Sequence, residues 1–196
     1  MAIADIHYGY EVNRSKQGAM LPDWGNETCR KSLLALLADH RPAELVLVGD
    51  IMDGAAATQA VAELLAELQT RVERLILVEG NHDRALVRQG WKFTHSHRSG
   101  DFLFHHGHVA IALPTDGGPS QQAITITGHA HPALILTDGA GLKLRLPAFI
   151  RQQTAADSQH WILPAFSPWA AGGVYRSDYP RLATWACSQN RIWQHE

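Results

Sequence analysis

Cysteine is scarce: 196 residues contain only Cys29 and Cys187, far apart in sequence. A disulfide framework is therefore not expected, and the usage suits a reducing cytosol. No apolar run approaches the roughly 20 residues that span a bilayer. No basic segment followed by a hydrophobic run opens the chain, so no signal peptide is read and a cytoplasmic protein without membrane attachment is expected. Excess positive charge is also missing: 17 Lys and Arg face 19 Asp and Glu, for a formal net charge of -2. That argues against a broad basic surface wrapped on long duplex DNA. A short nucleic-acid substrate, its phosphates met by metal ions, remains compatible. Repeats, low-complexity tracts and Pro- or Ser-rich linkers are absent, which predicts one domain over residues 1–196. With 45% hydrophobic and 18% charged residues the composition is that of an ordinary soluble protein. The one conspicuous surplus is histidine, present twelve times.

The hydrophobic pattern divides the chain into two halves. Met1 to Ala4 reads as a short strand, residues 12–26 as a loop, and Thr28 to His40 as a helix with Leu33, Leu34, Leu36 and Leu37 on a wide apolar face. Glu44 to Val48 and Leu75 to Val78 are short apolar runs before glycine, the form of buried strands. Between them Val61, Leu64, Leu65 and Leu68 recur at helical spacing, with Thr58 placed to cap the helix. Strand–helix–strand–helix–strand order predicts a parallel sheet. The second half reads as further strands: Asp101–His105, Ala123–Thr127, Leu142–Leu146, His160–Leu163 and Arg181–Trp185, with Asn190–Trp193 closing a terminal hairpin. The expected fold is α/β, a sandwich of two mixed β-sheets flanked by helices.

Metal-ligand residue types follow the strand-like runs. Asp5 and His7 follow the first; Asp50 and Asp53 the second; Asn81, His82 and Asp83 the third. His105, His106 and His108 follow Phe102–Phe104, and His129 and His131 follow Ile124–Thr127. In parallel α/β sheets, ligands gather beyond the carboxyl ends of strands. Carboxylate and imidazole donors suit Mn, Fe or Zn. Strand alternation would place Asp5 and His7 on one side, and likewise His129 and His131. Gly49, Gly80 and Gly128 precede ligands and would let the backbone turn sharply. Asp50 is a candidate bridge between two ions about 3.5–4 Å apart. A single Asp-x-His is commonplace on surfaces, and a single Gly-Asn-His is often only a turn. Five such blocks in this order, each at a strand end, point to one metal centre.

These blocks resemble the signatures of the calcineurin-like metallophosphoesterase superfamily: Asp5-Ile-His7, Gly49-Asp-Ile-Met-Asp53, Gly80-Asn-His-Asp83, His106-Gly107 and Gly128-His-Ala-His131. The resemblance implies a first metal on Asp5, His7, Asp50 and His131, and a second on Asp50, Asn81, His106 and His129. It implies His82 as the acid that protonates the leaving oxygen, or as a phosphate-binding group. His106 is preferred over its neighbours because it directly precedes Gly107. A narrower resemblance covers most of the chain. Asp5-Ile-His-Tyr-Gly-Tyr-Glu11, Gly80-Asn-His-Asp-Arg84, Arg145-Leu-Pro-Ala-Phe149 and Leu163-Pro-Ala-Phe-Ser-Pro-Trp169 are similar to small bacterial and archaeal phosphoesterases that include ligase-associated DNA-damage-response endonucleases. That group implies manganese-dependent phosphodiester cleavage of DNA, in functional association with a DNA ligase and a helicase. Relatives usually have a longer first strand, so a clipped strand or a misassigned start is read at Met1.

Other residues carry two readings each. Asp53 and Asp83 would orient ligands or cap helices. Arg84 would meet a substrate phosphate or simply open a helix. Arg14 and Lys16 would line a groove or lie in a solvated loop. Trp161, Trp169, Trp185 and Trp193 are core residues or base-stacking platforms. Two further functions compete with the nuclease: a small-molecule phosphatase or nucleotide phosphodiesterase, and a metal-free binding scaffold on the same fold.

Overall fold

In the computed structural model, residues 1–22, 24–111, 123–188 and 191–195 are described. The first half builds a three-stranded parallel sheet in the order β1 (Ala2–Ile3), β2 (Glu44–Val48), β3 (Arg74–Val78). Among the described residues four α-helices accompany it: α1 (Tyr10–Lys16), α2 (Gly25–His40), α3 (Thr58–Gln69) and α4 (Arg84–Arg88). The alternation of β2 explains its burial on both faces. Leu45 and Leu47 pack with Leu33 and Leu37 of α2 and with Val61, Leu65 and Leu68 of α3. Val46 and Val48 point the other way, toward the second sheet.

The second sheet has eight strands, adding β4 (His97–Ser99), β5 (Phe102–Phe104), β6 (Ala123–Thr127), β7 (Ala133–Thr137), β8 (Lys143–Ala155), β9 (Ser158–Ile162), β10 (Arg181–Cys187) and β11 (Ile192–His195). Its order is β11-β10-β8-β9-β6-β5-β4, with β7 paired to β8. β5, β6 and β9 run parallel, and the other pairings are antiparallel. Phe104, Ile126 and Trp161 close the inter-sheet core against Ala4, Val46, Val48 and Val78. The chain is thus the expected α/β two-sheet sandwich, its small sheet wholly parallel and α2, α3 and α4 packed on that sheet's outer face.

Several boundaries differ from the sequence reading. Residues 12–26 are a loop only in their middle: α1 covers 10–16 and α2 begins at Gly25. Gly9, at φ 85°, turns the chain so that the Tyr10 N–H donates to the His7 carbonyl. α1 is then tied to α2 by polar rather than apolar contacts, which hid it from a hydrophobic pattern: Gly9 N–H donates to Asn26 Oδ1 (2.7 Å), and Asn26 N–H to the buried Glu11 (3.1 Å). Thr58 does not cap α3 but opens it, its hydroxyl donating to the Ala55 carbonyl (2.6 Å). Leu142–Leu146 is only part of a hairpin arm made by β7 and the first half of β8. Asn190 lies outside the described residues, but β11 does pair with β10. Both cysteines are free thiols, and burial pushes Cys29 up to about 12. Among the described residues no helix is long and apolar enough to cross a membrane.

Candidate metal centre

The sequence-selected side chains meet beyond the ends of five strands. Asp50 stands two residues past β2, Asn81 three past β3, His106 two past β5 and His129 two past β6. Asp5 and His7 follow β1, and the two N–H groups donate to Gly49 and Asp50 carbonyls (3.2 and 2.9 Å). Asp5 and His7 are past their strand, as are His129 and His131, so strand alternation is not what aligns them. Backbone conformation does that instead. Among the described residues six non-glycine residues have positive φ, and five of them are Asp5, His7, Asp50, His129 and His131. Each left-handed residue costs on the order of 1 kcal/mol, a strain that concentrates at functional sites.

Three glycines make the crowding possible. Gly49 supplies a further positive φ of 74°, and a Cβ there would lie 2.3 Å from His106 Nδ1. Gly80 and Gly128 matter for close approach rather than for a sharp turn. A Cβ on Gly80 would sit 2.1 Å from the Asp50 amide nitrogen, and one on Gly128 2.6 Å from Asp5 Oδ2.

Ligand atoms form three overlapping groups, each able to hold an ion: Asp5, His7 and His131; His7, Asp50 and His82; Asp50, His106 and His129. In the first, His7 Nε2 lies 3.2 Å from His131 Nε2, and His131 Nε2 lies 3.4 Å from Asp5 Oδ1. The third is more telling. His106 Nδ1–H donates to the Val48 carbonyl (3.1 Å), which leaves Nε2 with a lone pair. That nitrogen faces Asp50 Oδ2, Asn81 Oδ1 and His129 Nδ1, each 3.2 Å away. Four electron-pair donors converging in a half-buried space repel one another unless a cation sits among them. The residues therefore fit divalent metals of the kind nitrogen and oxygen donors prefer.

Burial disfavours a charged His106, but the hydrogen bond and charge of Asp50, with Asp5, hold its imidazole above the usual range. Burial alone would raise Asp50, yet contacts with His106 and the His82 amide bring it down to about 2. Burial, then the charges of neighbouring histidines, lowers His7 and His129. These two are accordingly neutral donors at physiological pH.

The surrounding groups fix orientation. His82 Nδ1–H donates to the Asp53 carbonyl (2.8 Å), leaving Nε2 on the open side 3.9 Å from Asp50 Oδ2. The Asp53 carboxylate lies 3.7 Å from His7 Nδ1 and accepts from Asn13 Nδ2 (2.8 Å). Asp83 is fully buried, and its side chain caps no helix; it accepts backbone N–H groups from Ile51, Met52 and Gly80 (2.9–3.1 Å), stapling the Asp50 turn to the Asn81 turn. Burial raises its carboxyl to about 6 against those hydrogen bonds. Arg84 is exposed at the first position of α4. Of the three clustered histidines, His106 is the one in the ligand groups; His108 packs its ring 5.1 Å from His106, and His105 Nδ1 is buried without a partner.

A family model for calcineurin-like phosphoesterases matches residues 1–192. The chain belongs to the calcineurin-like phosphoesterase family. It is a metal-dependent hydrolase of phosphate esters, and members of this family use two metal ions. No curated protein matches the sequence. Among solved structures, a nuclease, MPE, from Pseudomonas putida superposes with a TM-score of 0.67 at 23% identity, covering 99% of this chain and 86% of that one. Yfce, a phosphoesterase from E. coli, superposes with a TM-score of 0.50 at 17% identity over 98% and 89% of the two chains. At these identities the likeness is one of fold. The calcineurin-like assignment fits the left-handed ligands and the converging lone pairs described above.

The sequence pattern missed some neighbours of this centre. Asn13, which holds Asp53, fell in the presumed loop. His160 accepts from Gln152 Nε2 at Nδ1 (3.0 Å) and donates from Nε2 to Thr127 Oγ1 (2.8 Å), bracing the strand that delivers His129. Only the β6–β9 register, Thr125 opposite His160, brings these residues together, and no local motif announces it.

Proposed function

We propose that the chain is a manganese-dependent phosphodiesterase acting on DNA, a cytoplasmic single-domain enzyme over residues 1–196 that works with a DNA ligase and a helicase in repair. One observation carries the metal-dependent part: His106 Nε2 confronts three further electron-pair donors at 3.2 Å. One ion would be held by Asp5, His7, Asp50 and His131, the other by Asp50, Asn81, His106 and His129, with Asp50 shared. Bound divalent cations would supply positive charge that activates water and offsets the charge of the phosphate oxygens. Mixed imidazole and carboxylate donors accommodate manganese, with iron or zinc as alternatives.

The chain's own groups do the rest. His82, fixed at Nδ1 by the Asp53 carbonyl, presents Nε2 to the open side, placed to deliver a proton to the leaving oxygen. Asp53 orients His7, and Asp83 holds the two ligand turns in register. Arg84, exposed one residue beyond, is available to a substrate phosphate. The Pseudomonas putida nuclease has the same fold, so a nucleic-acid substrate is compatible with this architecture.

Hydrolysis of bis-p-nitrophenyl phosphate and p-nitrophenyl phosphate is the test, on metal-stripped protein with Mn, Zn or Mg restored. Diester cleavage restored best by Mn is the expected result, followed by cleavage of DNA. Monoester cleavage alone would move the assignment to a small-molecule phosphatase, and inactivity of folded protein with every metal to a binding scaffold.

A further inference from the structure

A ladder of aromatic rings stands on the Asp5–His7 side of the centre. Tyr10 and Trp169 stack with centroids 5.5 Å apart and planes 19° apart. Trp24 leans on Trp169 at 5.0 Å, and the Arg14 guanidinium lies 5.1 Å from the Tyr10 ring centre. Two rungs are tied directly to the ligand backbone. Tyr10 N–H donates to the His7 carbonyl (3.2 Å). Ser167 N–H donates to the Asp5 carbonyl (3.1 Å), and Trp169 N–H to Ser167 Oγ (3.2 Å). Gly25 leaves room for the third contact, because a Cβ there would lie 2.2 Å from Trp169 Nε1.

The ladder is not part of the hydrophobic core. Tyr10, Trp24 and Trp169 belong to none of the core clusters of the described residues. Tyr10 and Trp169 are half-buried, whereas Trp24 is 45% exposed, so the stack ends in an open indole. Positive charge accompanies it. Arg14 and Lys16 are exposed in the last turn of α1. Arg145 donates to the Gly172 carbonyl (3.2 Å) in the segment that also carries Trp169. Flat aromatic surface with cations alongside is the combination that binds unpaired nucleic acid, since every base offers a π-face while its phosphates need counter-charge.

We propose that the Tyr10–Trp169–Trp24 ladder is a base-stacking subsite, that Trp24 receives an unpaired nucleobase next to the scissile phosphate, and that the substrate class is single-stranded nucleic acid. The position of the scissile phosphate rests on the phosphodiesterase reading above. A base locked in a duplex keeps its faces against its neighbours, so paired strands gain nothing from the ladder.

The test measures binding of the Mn-loaded full chain to a labelled phosphorothioate oligothymidylate, to the same strand annealed to its complement, and to an abasic strand of equal length. Trp24→Ala weakens binding of the single strand roughly tenfold, and Trp24→Phe restores most of it. Binding of the duplex and the abasic strand shifts less than twofold. Arg14→Ala, a variant that leaves the indoles in place, weakens all charged strands alike and lowers the salt slope by about 1. Equal affinity of Trp24→Ala and the parent protein for oligothymidylate, or an equal loss on the abasic strand, overturns the proposal. The binding readout is independent of turnover. An inactive protein whose Trp24→Ala variant loses the single strand would refute the hydrolase reading alone, and an active one with unaltered binding would refute the ladder alone.

Discussion

Asp50 Oδ2 and His106 Nε2 lie 3.2 Å apart, and both side chains are sealed from solvent. Asp50 Oδ1 meanwhile accepts the His82 amide at 3.0 Å, so one carboxylate joins the turns after β2, β3 and β5. Removing bound metal leaves that junction as a cluster of facing donors. Metal-loaded protein should therefore melt above stripped protein. An ion present at a hundredfold excess over its dissociation constant adds about 2.7 kcal/mol, which for a chain of this size is roughly 5–10 °C. Differential scanning calorimetry with and without chelator measures the gap, and identical melting of both forms would contradict it.

Gly80 and Gly90 separate packing from backbone preference. A Cβ at Gly80 collides with the Asp50 amide, whereas one at Gly90 meets nothing within 4 Å but must accept φ 93°. Gly80→Ala should cost about 2–4 kcal/mol and abolish hydrolysis, because the Asp50 turn must move. Gly90→Ala should cost about 1 kcal/mol and leave turnover intact. Urea denaturation with parallel assays compares them, and equal effects would be inconsistent with the close approach at Gly80.

The proposed role of Asp53 is exerted through His7. Asp53→Ala removes the carboxylate 3.7 Å from His7 Nδ1 and frees Asn13, and should weaken manganese affinity about 10- to 100-fold without unfolding the chain. Activity titrated against Mn would show a shifted midpoint with a recoverable maximum. An unshifted midpoint would remove Asp53 from the account.

His82→Asn should betray the role of Nε2 through the leaving group. The loss in kcat should be about 100- to 1,000-fold for a poor, nucleoside-like leaving group, which needs a proton. It should be much smaller for p-nitrophenolate, which leaves unprotonated. A uniform loss across leaving groups would point to phosphate binding instead.

His160 supplies one part of the pH dependence. Burial, then the charge of His105, pushes its imidazole down to about 4, and its Nδ1 accepts from Gln152, so the folded protein holds it neutral. The unfolded chain protonates near 6.5. Between pH 6.5 and 4 the unfolded state therefore binds more protons at this site, and the contribution of His160 is full above 6.5 and falls as pH drops toward 4. The contribution is at most on the order of 3 kcal/mol. Urea melts at pH 7 and 4.5 should show His160→Gln losing less stability on acidification than the parent chain. An identical loss would contradict this.

How much of this was legible in the sequence differs by element. β2 and the buried face of α3 were readable because one runs apolar on both faces and the other repeats at helical spacing. The candidate ligands were readable because each follows a short apolar run within four residues. α1 was not, since Glu11, Asn13 and Asn26 build it from hydrogen bonds rather than from an apolar stripe. The reason the candidate ligands converge was also hidden. Strand alternation suggested one side for Asp5 and His7, but left-handed φ at both residues aligns them, and composition does not encode a torsion. The His160–Thr127 brace depended on register between strands some thirty residues apart.

The most direct test of the central claim is metal content and bis-p-nitrophenyl phosphate turnover in Asp50→Ala beside the parent chain, both reconstituted with Mn after stripping. The account predicts two bound ions and Mn-dependent turnover in the parent, and loss of metal with turnover reduced at least a thousandfold, on the order of 4 kcal/mol, in the variant. A folded Asp50→Ala protein with undiminished metal and turnover would contradict it.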